Sequence, residues 1–102
     1  PTMSKVIFIS QPMGGLSDEQ VLQERTAAIS KAKALLGKDV APLETVFDDF
    51  GPAAKPLDYL ARSLEFLARA DVAVFAPGWQ NARGCRIERQ CAADYGIPVM
   101  EV

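Results

Sequence analysis

Glu88 is a carboxylate that its own helix does not neutralise. It stands in Gly84-Cys85-Arg86-Ile87-Glu88-Arg89-Gln90-Cys91-Ala92-Ala93-Asp94-Tyr95, a pattern that predicts the last helix. On a helix the neighbours lie three and four positions away. For Glu88 these are Gly84, Cys85, Cys91 and Ala92, all small and none basic. A solvated glutamate ordinarily has a Lys, an Arg or open water at those places. Glu88 instead shares its edge with the apolar stripe Ile87, Cys91, Tyr95. The helix follows a strand-like run, Asp71-Val72-Ala73-Val74-Phe75-Ala76, and open α/β sheets bind ligands at the carboxyl ends of their strands. Glu88 is therefore a candidate nucleophile or general base.

The chain has no histidine. That removes the commonest general base, the commonest metal ligand and every Ser-His or Cys-His pair. Chemistry here must rest on carboxylates, Tyr, Ser, Lys or Cys. Cys85 and Cys91 form no Cys-x-x-Cys pair, so neither a zinc site nor any other cofactor is expected. Two thiols on one helix read as small core or near-core residues and suit a reducing, cytoplasmic setting. Asp48-Asp49 could serve a metal or acid/base role, although adjacent aspartates in a Pro/Gly loop are ordinarily solvated.

Two loops at strand ends run into helices, residues 10–16 and 77–84. Such loops present backbone N–H groups and a helix N-terminus to an anion. In the first, Ser10, Gln11, Met13, Gly14 and Gly15 are the candidate ligand contacts, and the two glycines would let backbone approach a ligand. The same glycines also suit a plain strand-to-helix turn. In the second, Trp79, Asn81, Arg83 and Gly84 precede Glu88. Arg83 could clamp a phosphate and Trp79 could stack on a base, or Arg83 is solvated and Trp79 is a half-buried packing plug. Neither a Walker loop nor a Gly-x-Gly-x-x-Gly fingerprint is present.

The elements that must position these loops follow from periodicity. Val6-Ile7-Phe8-Ile9 is a β-branched and aromatic run of the kind buried on both faces of a parallel sheet. Ser17 with Gln20 makes a capping-box signature for a helix to about Leu36, with Val21, Leu22, Ala28, Ile29, Ala32, Leu35 and Leu36 as its apolar face. A short strand covers 38–43, where Pro42 favours an edge or a strand end. Residues 44–57 form a long aperiodic connection, a length that suits a lid or mobile segment. Asp58 is the candidate cap of a helix to about Ala70 with Leu60, Leu64 and Leu67 on one face. The strand at 71–76, the Glu88 helix stopped by Gly96, and a strand at 97–100 complete the order. It predicts a three-layer α/β sandwich on a parallel sheet of four to five strands.

At 102 residues and 49% hydrophobic, the chain makes one domain with a genuine core. A domain of this size gains from oligomerisation. A net charge of −2 without a basic run argues against nucleic-acid polymers as partners. No signal peptide or membrane span is expected. Met3 reads as a candidate native start.

Together, Phe8-Ile9-Ser10-Gln11-Pro12-Met13-Gly14-Gly15-Leu16, Asp71-Val72-Ala73-Val74-Phe75, Arg83-Gly84-Cys85-Arg86-Ile87-Glu88 and Tyr95-Gly96-Ile97-Pro98-Val99 resemble the nucleoside 2-deoxyribosyltransferase superfamily. They look closest to a small bacterial and phage branch related to the 2'-deoxynucleoside 5'-monophosphate N-glycosidases. The resemblance implies a flavodoxin-like or Rossmann-like sheet, a homodimer, and a glutamate nucleophile at Glu88. It assigns the Gly14-Gly15 loop and Gly84 to the sugar 5' end or its phosphate. The implied partner is a small nucleoside or nucleotide, and the implied reaction is hydrolysis or transfer of its glycosidic bond.

The chain departs from the pattern at three places. Met13 stands where those glycosidases carry Arg, and Ala82 is the nearest match to a phosphate-binding serine. Arg62-Ser63-Leu64 stands for an expected Arg-Asp-Leu, which leaves Asp48, Asp49 or Asp58 to supply an acid. The competing reading is a non-catalytic module that binds a nucleotide or nucleotide-derived signal in the same crevice.

Overall fold

The computed structural model describes residues 4–102; the candidate start Met3 and the two residues before it lie outside the described residues. Four strands form one parallel sheet: β1 (Lys5–Ser10), β2 (Val40–Pro42), β3 (Val72–Phe75) and β4 (Val99–Glu101), in the order β2-β1-β3-β4. Three helices connect them: α1 (Asp18–Leu36), α2 (Pro56–Leu67) and α3 (Arg83–Asp94). This is a small Rossmann-like α/β fold in the flavodoxin-like strand order.

The order dictates the layers. The chain steps from β1 outward to β2, then back across β1 to β3 and on to β4, and right-handed crossovers put a reversal of direction on opposite faces. Accordingly α1 packs alone on one face, where Ala28 and Ala32 meet Ile7, Ile9, Val72 and Val74. The other face carries α2 and α3, where Leu67 and Ala92 meet Phe8, Ala73 and Phe75. Strand side chains alternate between faces, so the continuous apolar runs in β1 and β3 are those of strands covered on both sides. Pro42 ends β2 on the sheet edge, where its missing N–H costs no ladder bond.

Ser17 caps α1 through the reciprocal Ser17–Gln20 box. The buried stripe of α1, however, is Val21, Arg25, Ala28 and Ala32, and Leu22 and Leu35 are exposed. A helix lying on a sheet buries a narrow stripe, and small residues at 28 and 32 let it lie close. Arg25 replaces an apolar residue in that stripe. Its guanidinium donates to the Leu43 carbonyl at 2.6 Å and to Thr45 Oγ1 at 3.1 Å, which ties α1 to the chain leaving β2.

One further expectation is corrected. Asp58 is not the N-cap of α2; Lys55 is, Pro56 opens the helix, and Asp58 reaches back from its third position to accept from the Lys55 N–H at 2.7 Å. The segment 44–55 has no regular structure, yet its own aromatics hold it to α2. Phe47 stacks on Phe66, Phe50 lies 4.3 Å from Tyr59, and Arg62 sits over Phe50 while pairing with Asp49. Asp49 is thus engaged as an ion-pair partner. No helix among the described residues is long and apolar enough to cross a membrane.

Candidate active site

Ser10 is the last residue of β1 and pairs in register with Phe75 of β3. These are the two strands between which the winding of the sheet reverses, and that point leaves a crevice at the carboxyl ends. Period-two alternation puts Ser10 on the same face as Phe8, towards α2 and α3, and sends Gln11 towards α1. Both consequences are visible. Gln11 is buried and its amide donates to the Val21 carbonyl of α1 at 2.9 Å, leaving its Oε1 without a partner. The Ser10 hydroxyl donates to Glu88 Oε1 at 2.6 Å.

The buried face of α3 is Cys85, Glu88 and Ala92. The stripe read as apolar meets the core only at Cys91: Ile87 is 37% exposed and Tyr95 is 83% exposed, whereas Glu88 is only 7% exposed. The small residues that flank Glu88 are therefore the packing surface of α3. They bring the helix close enough to the sheet for the carboxylate to reach Ser10. Burial pushes the Glu88 carboxyl up from its ordinary value of 4.5 to about 7, against the lowering effects of the Ser10 hydroxyl and then of Ser63. Ser63, on the facing side of α2, acts without a hydrogen bond of standard geometry.

These groups line a cleft of about 660 Å³. Among the residues predicted from sequence, Ser10, Gln11, Met13, Gly14, Asn81, Arg83, Gly84 and Glu88 all border it. Gly15 and Trp79 do not. Gly15 (φ +78°) serves a turn closed by the Leu16 N–H on the Met13 carbonyl, which needs a left-handed residue before Leu16. Trp79 points to the sheet, edge-on to Phe75, with its indole N–H on Glu101 at 3.1 Å and the Arg89 guanidinium over its ring. It is the packing plug of the two readings.

Sequence reasoning missed Thr45, Tyr59, Leu60, Ser63 and Cys85 as cleft residues. Ser63 carried a signal in the Arg62-Ser63-Leu64 motif, and it lies beside Glu88 in the cleft. Cys85 lay three residues before Glu88 on the same helix face. Burial raises its thiol pKa; the Ser10 hydroxyl opposes this, the Glu88 charge adds to it and Arg86 opposes it. Ser10 therefore sits between a carboxyl and a thiol.

The N-terminus of α3 has no side-chain cap: Ala82 is the N-cap, and the first-turn N–H groups open beside Asn81, Arg83 and Gly84 at the cleft. With the Arg83 guanidinium they suit an anionic group such as a phosphate. Among the described residues, no group of three or more His, Cys, Asp or Glu is placed to hold a metal ion. The arrangement offers a buried carboxylate at the cleft floor, one hydroxyl fixing it, and an anion seat at the rim.

Compared with curated proteins, the chain matches none. Its residues 5–101 match the family described as "Domain of unknown function (DUF4406)", and over nearly its whole length the chain belongs to that family.

Proposed function

We propose that this chain cleaves or transfers the N-glycosidic bond of a small nucleoside or its 5'-monophosphate, with Glu88 as nucleophile. One observation carries the reading: Glu88 is buried at the switch point of the sheet, faces an open cleft, and is held by Ser10 across the molecule. A carboxylate so placed can attack C1′ through an oxocarbenium-like transition state and form a glycosyl ester, as retaining glycosidases do. Water or a second base then takes the sugar. Gly14, Asn81, Arg83 and Gly84 would hold the 5′ end. The likeness of the loop and helix motifs to the deoxyribosyltransferase superfamily supports the same chemistry. Exposed Leu57, Ile87 and Tyr95 suit a homodimer contact, and two free thiols suit a reducing cytoplasm.

The test is release of free base from a panel of N-glycosides, neutral and cationic, as nucleosides and 5'-monophosphates, followed by chromatography. Base release that disappears in Glu88→Gln is the expected result. No release from any member, or release unchanged in that variant, overturns the reading. Ser63 at the place of an expected acid favours the second reading, a module that binds nucleotides without turnover. Ligand-dependent thermal stabilisation with no base release would distinguish it.

A further inference from the structure

Glu88 is the one carboxylate bordering the cleft among the described residues. The acids that could have stood in for a second one are engaged elsewhere. Asp49 pairs with Arg62, Asp58 accepts from the Lys55 N–H, and Asp48 borders a separate depression beside Phe47 and Phe66. The other proton-bearing side chains at the cleft are the hydroxyls of Ser10, Thr45, Tyr59 and Ser63, the Cys85 thiol, the Gln11 and Asn81 amides and the Arg83 guanidinium, all weaker acids than a carboxyl.

Retaining glycosidases divide nucleophilic attack and leaving-group protonation between two carboxyls. With Glu88 used for attack, no group of carboxyl acidity remains for a departing neutral purine or pyrimidine. A base already cationic at its glycosidic linkage has no such need. We infer that the substrate class, resting on the reading of Glu88 as glycosidic nucleophile, is N-glycosides of cationic bases, above all pyridinium nucleosides and their 5′-phosphates.

The step balances without an acid. A Glu88 carboxylate oxygen forms a bond to C1′ while the C1′–N bond breaks, and the bonding pair passes to the ring nitrogen and cancels its positive charge. The base departs neutral. Water then attacks C1′ of the glycosyl ester, the ester bonding pair returns to Glu88, and a water proton goes to solvent. The cleft lining offers a group for each part of such a ligand. Tyr59, backed by Phe50 at 4.3 Å, offers an aromatic surface to a cationic ring, and Arg83 with the open α3 N-terminus offers a seat for phosphate.

The experiment compares kcat/KM for nicotinamide mononucleotide, nicotinamide riboside and 7-methylguanosine 5′-monophosphate with that for AMP, dAMP, dCMP and thymidine, using the intact chain. A general acid contributes on the order of 100-fold or more. The expected result is cleavage of the cationic members at least about 100-fold faster than any neutral one, and its loss in Glu88→Gln. A smaller ratio, or preference for a neutral member, overturns the inference while leaving glycosidic cleavage standing. Release from none of them ends both.

Discussion

The Ser10 hydroxyl and the Glu88 carboxylate, separated by 78 positions in the chain, meet at 2.6 Å where β1 ends and α3 crosses it. The contact joins the end of the first strand to the middle of the last helix. It also fixes the orientation of a carboxylate that burial would otherwise leave uncompensated. Because the hydroxyl favours the charged form, its removal has a definite sign.

Ser10→Ala should raise the Glu88 pKa above its value of about 7. A nucleophile must be ionised, so the rising limb of a pH–rate profile for base release should move to higher pH, with activity at neutral pH reduced. Cys85, beside the same hydroxyl, gains no carboxylate-like acidity from the change, since burial keeps its thiol raised. A profile that keeps its midpoint would show that Ser10 does not tune Glu88.

Glu88→Gln should stabilise the fold at alkaline pH. The carboxyl pKa is raised in the folded state, from 4.5 to about 7, so between those values the native state binds more protons than the unfolded chain. Stability of the parent chain therefore falls as pH rises through that window, and the cost is complete above it. At about 1.4 kcal/mol per pKa unit, the penalty is on the order of 3 kcal/mol. Thermal melts at pH 8 should favour the variant by several degrees, with the gap shrinking towards pH 4.

Ser63→Asp places a carboxyl on α2 beside Glu88, where the proposed glycosidic cleavage would use an acid. Release of neutral bases should rise about tenfold or more, measured against the parent chain on dAMP and dCMP. Unchanged neutral turnover in a variant of normal melting temperature would show that protonation is not what limits it.

Arg25→Met should destabilise the chain by about 2–3 kcal/mol, the scale of hydrogen bonds to a charged donor. The change leaves the Leu43 carbonyl and Thr45 Oγ1 without the guanidinium that now joins them to α1. Urea denaturation measures the loss. Faster proteolytic cleavage within residues 44–55 should accompany it, because those residues leave β2 through that anchor.

Trp79→Phe should cost stability but not base release. The indole lies against Phe75 and Arg89, away from the cleft, and only its N–H bond to Glu101 is lost. Equal kcat/KM with a lower melting temperature is the expected pair of results.

The sequence by itself determined the elements and their layering. Strand-like runs at 6–9 and 71–76, a capping box at Ser17 and a stop at Gly96 predict strands and helices in an order compatible with one parallel sheet. It also singled out Glu88, because a helix carboxylate without basic neighbours is conspicuous at a spacing of three and four. Its environment is less legible. Of the apolar stripe Ile87, Cys91, Tyr95 only Cys91 meets the core, and the small residues Cys85 and Ala92 form the buried side. Hydrophobicity alone does not say which face of a short helix lies on a sheet; close approach favours small side chains. Only the tertiary structure decided that Ser63 and Tyr59 of α2 join the cleft, that Trp79 leaves it, and that Arg25 is buried. Those facts depend on contacts between elements far apart in sequence, and local periodicity carries no record of them.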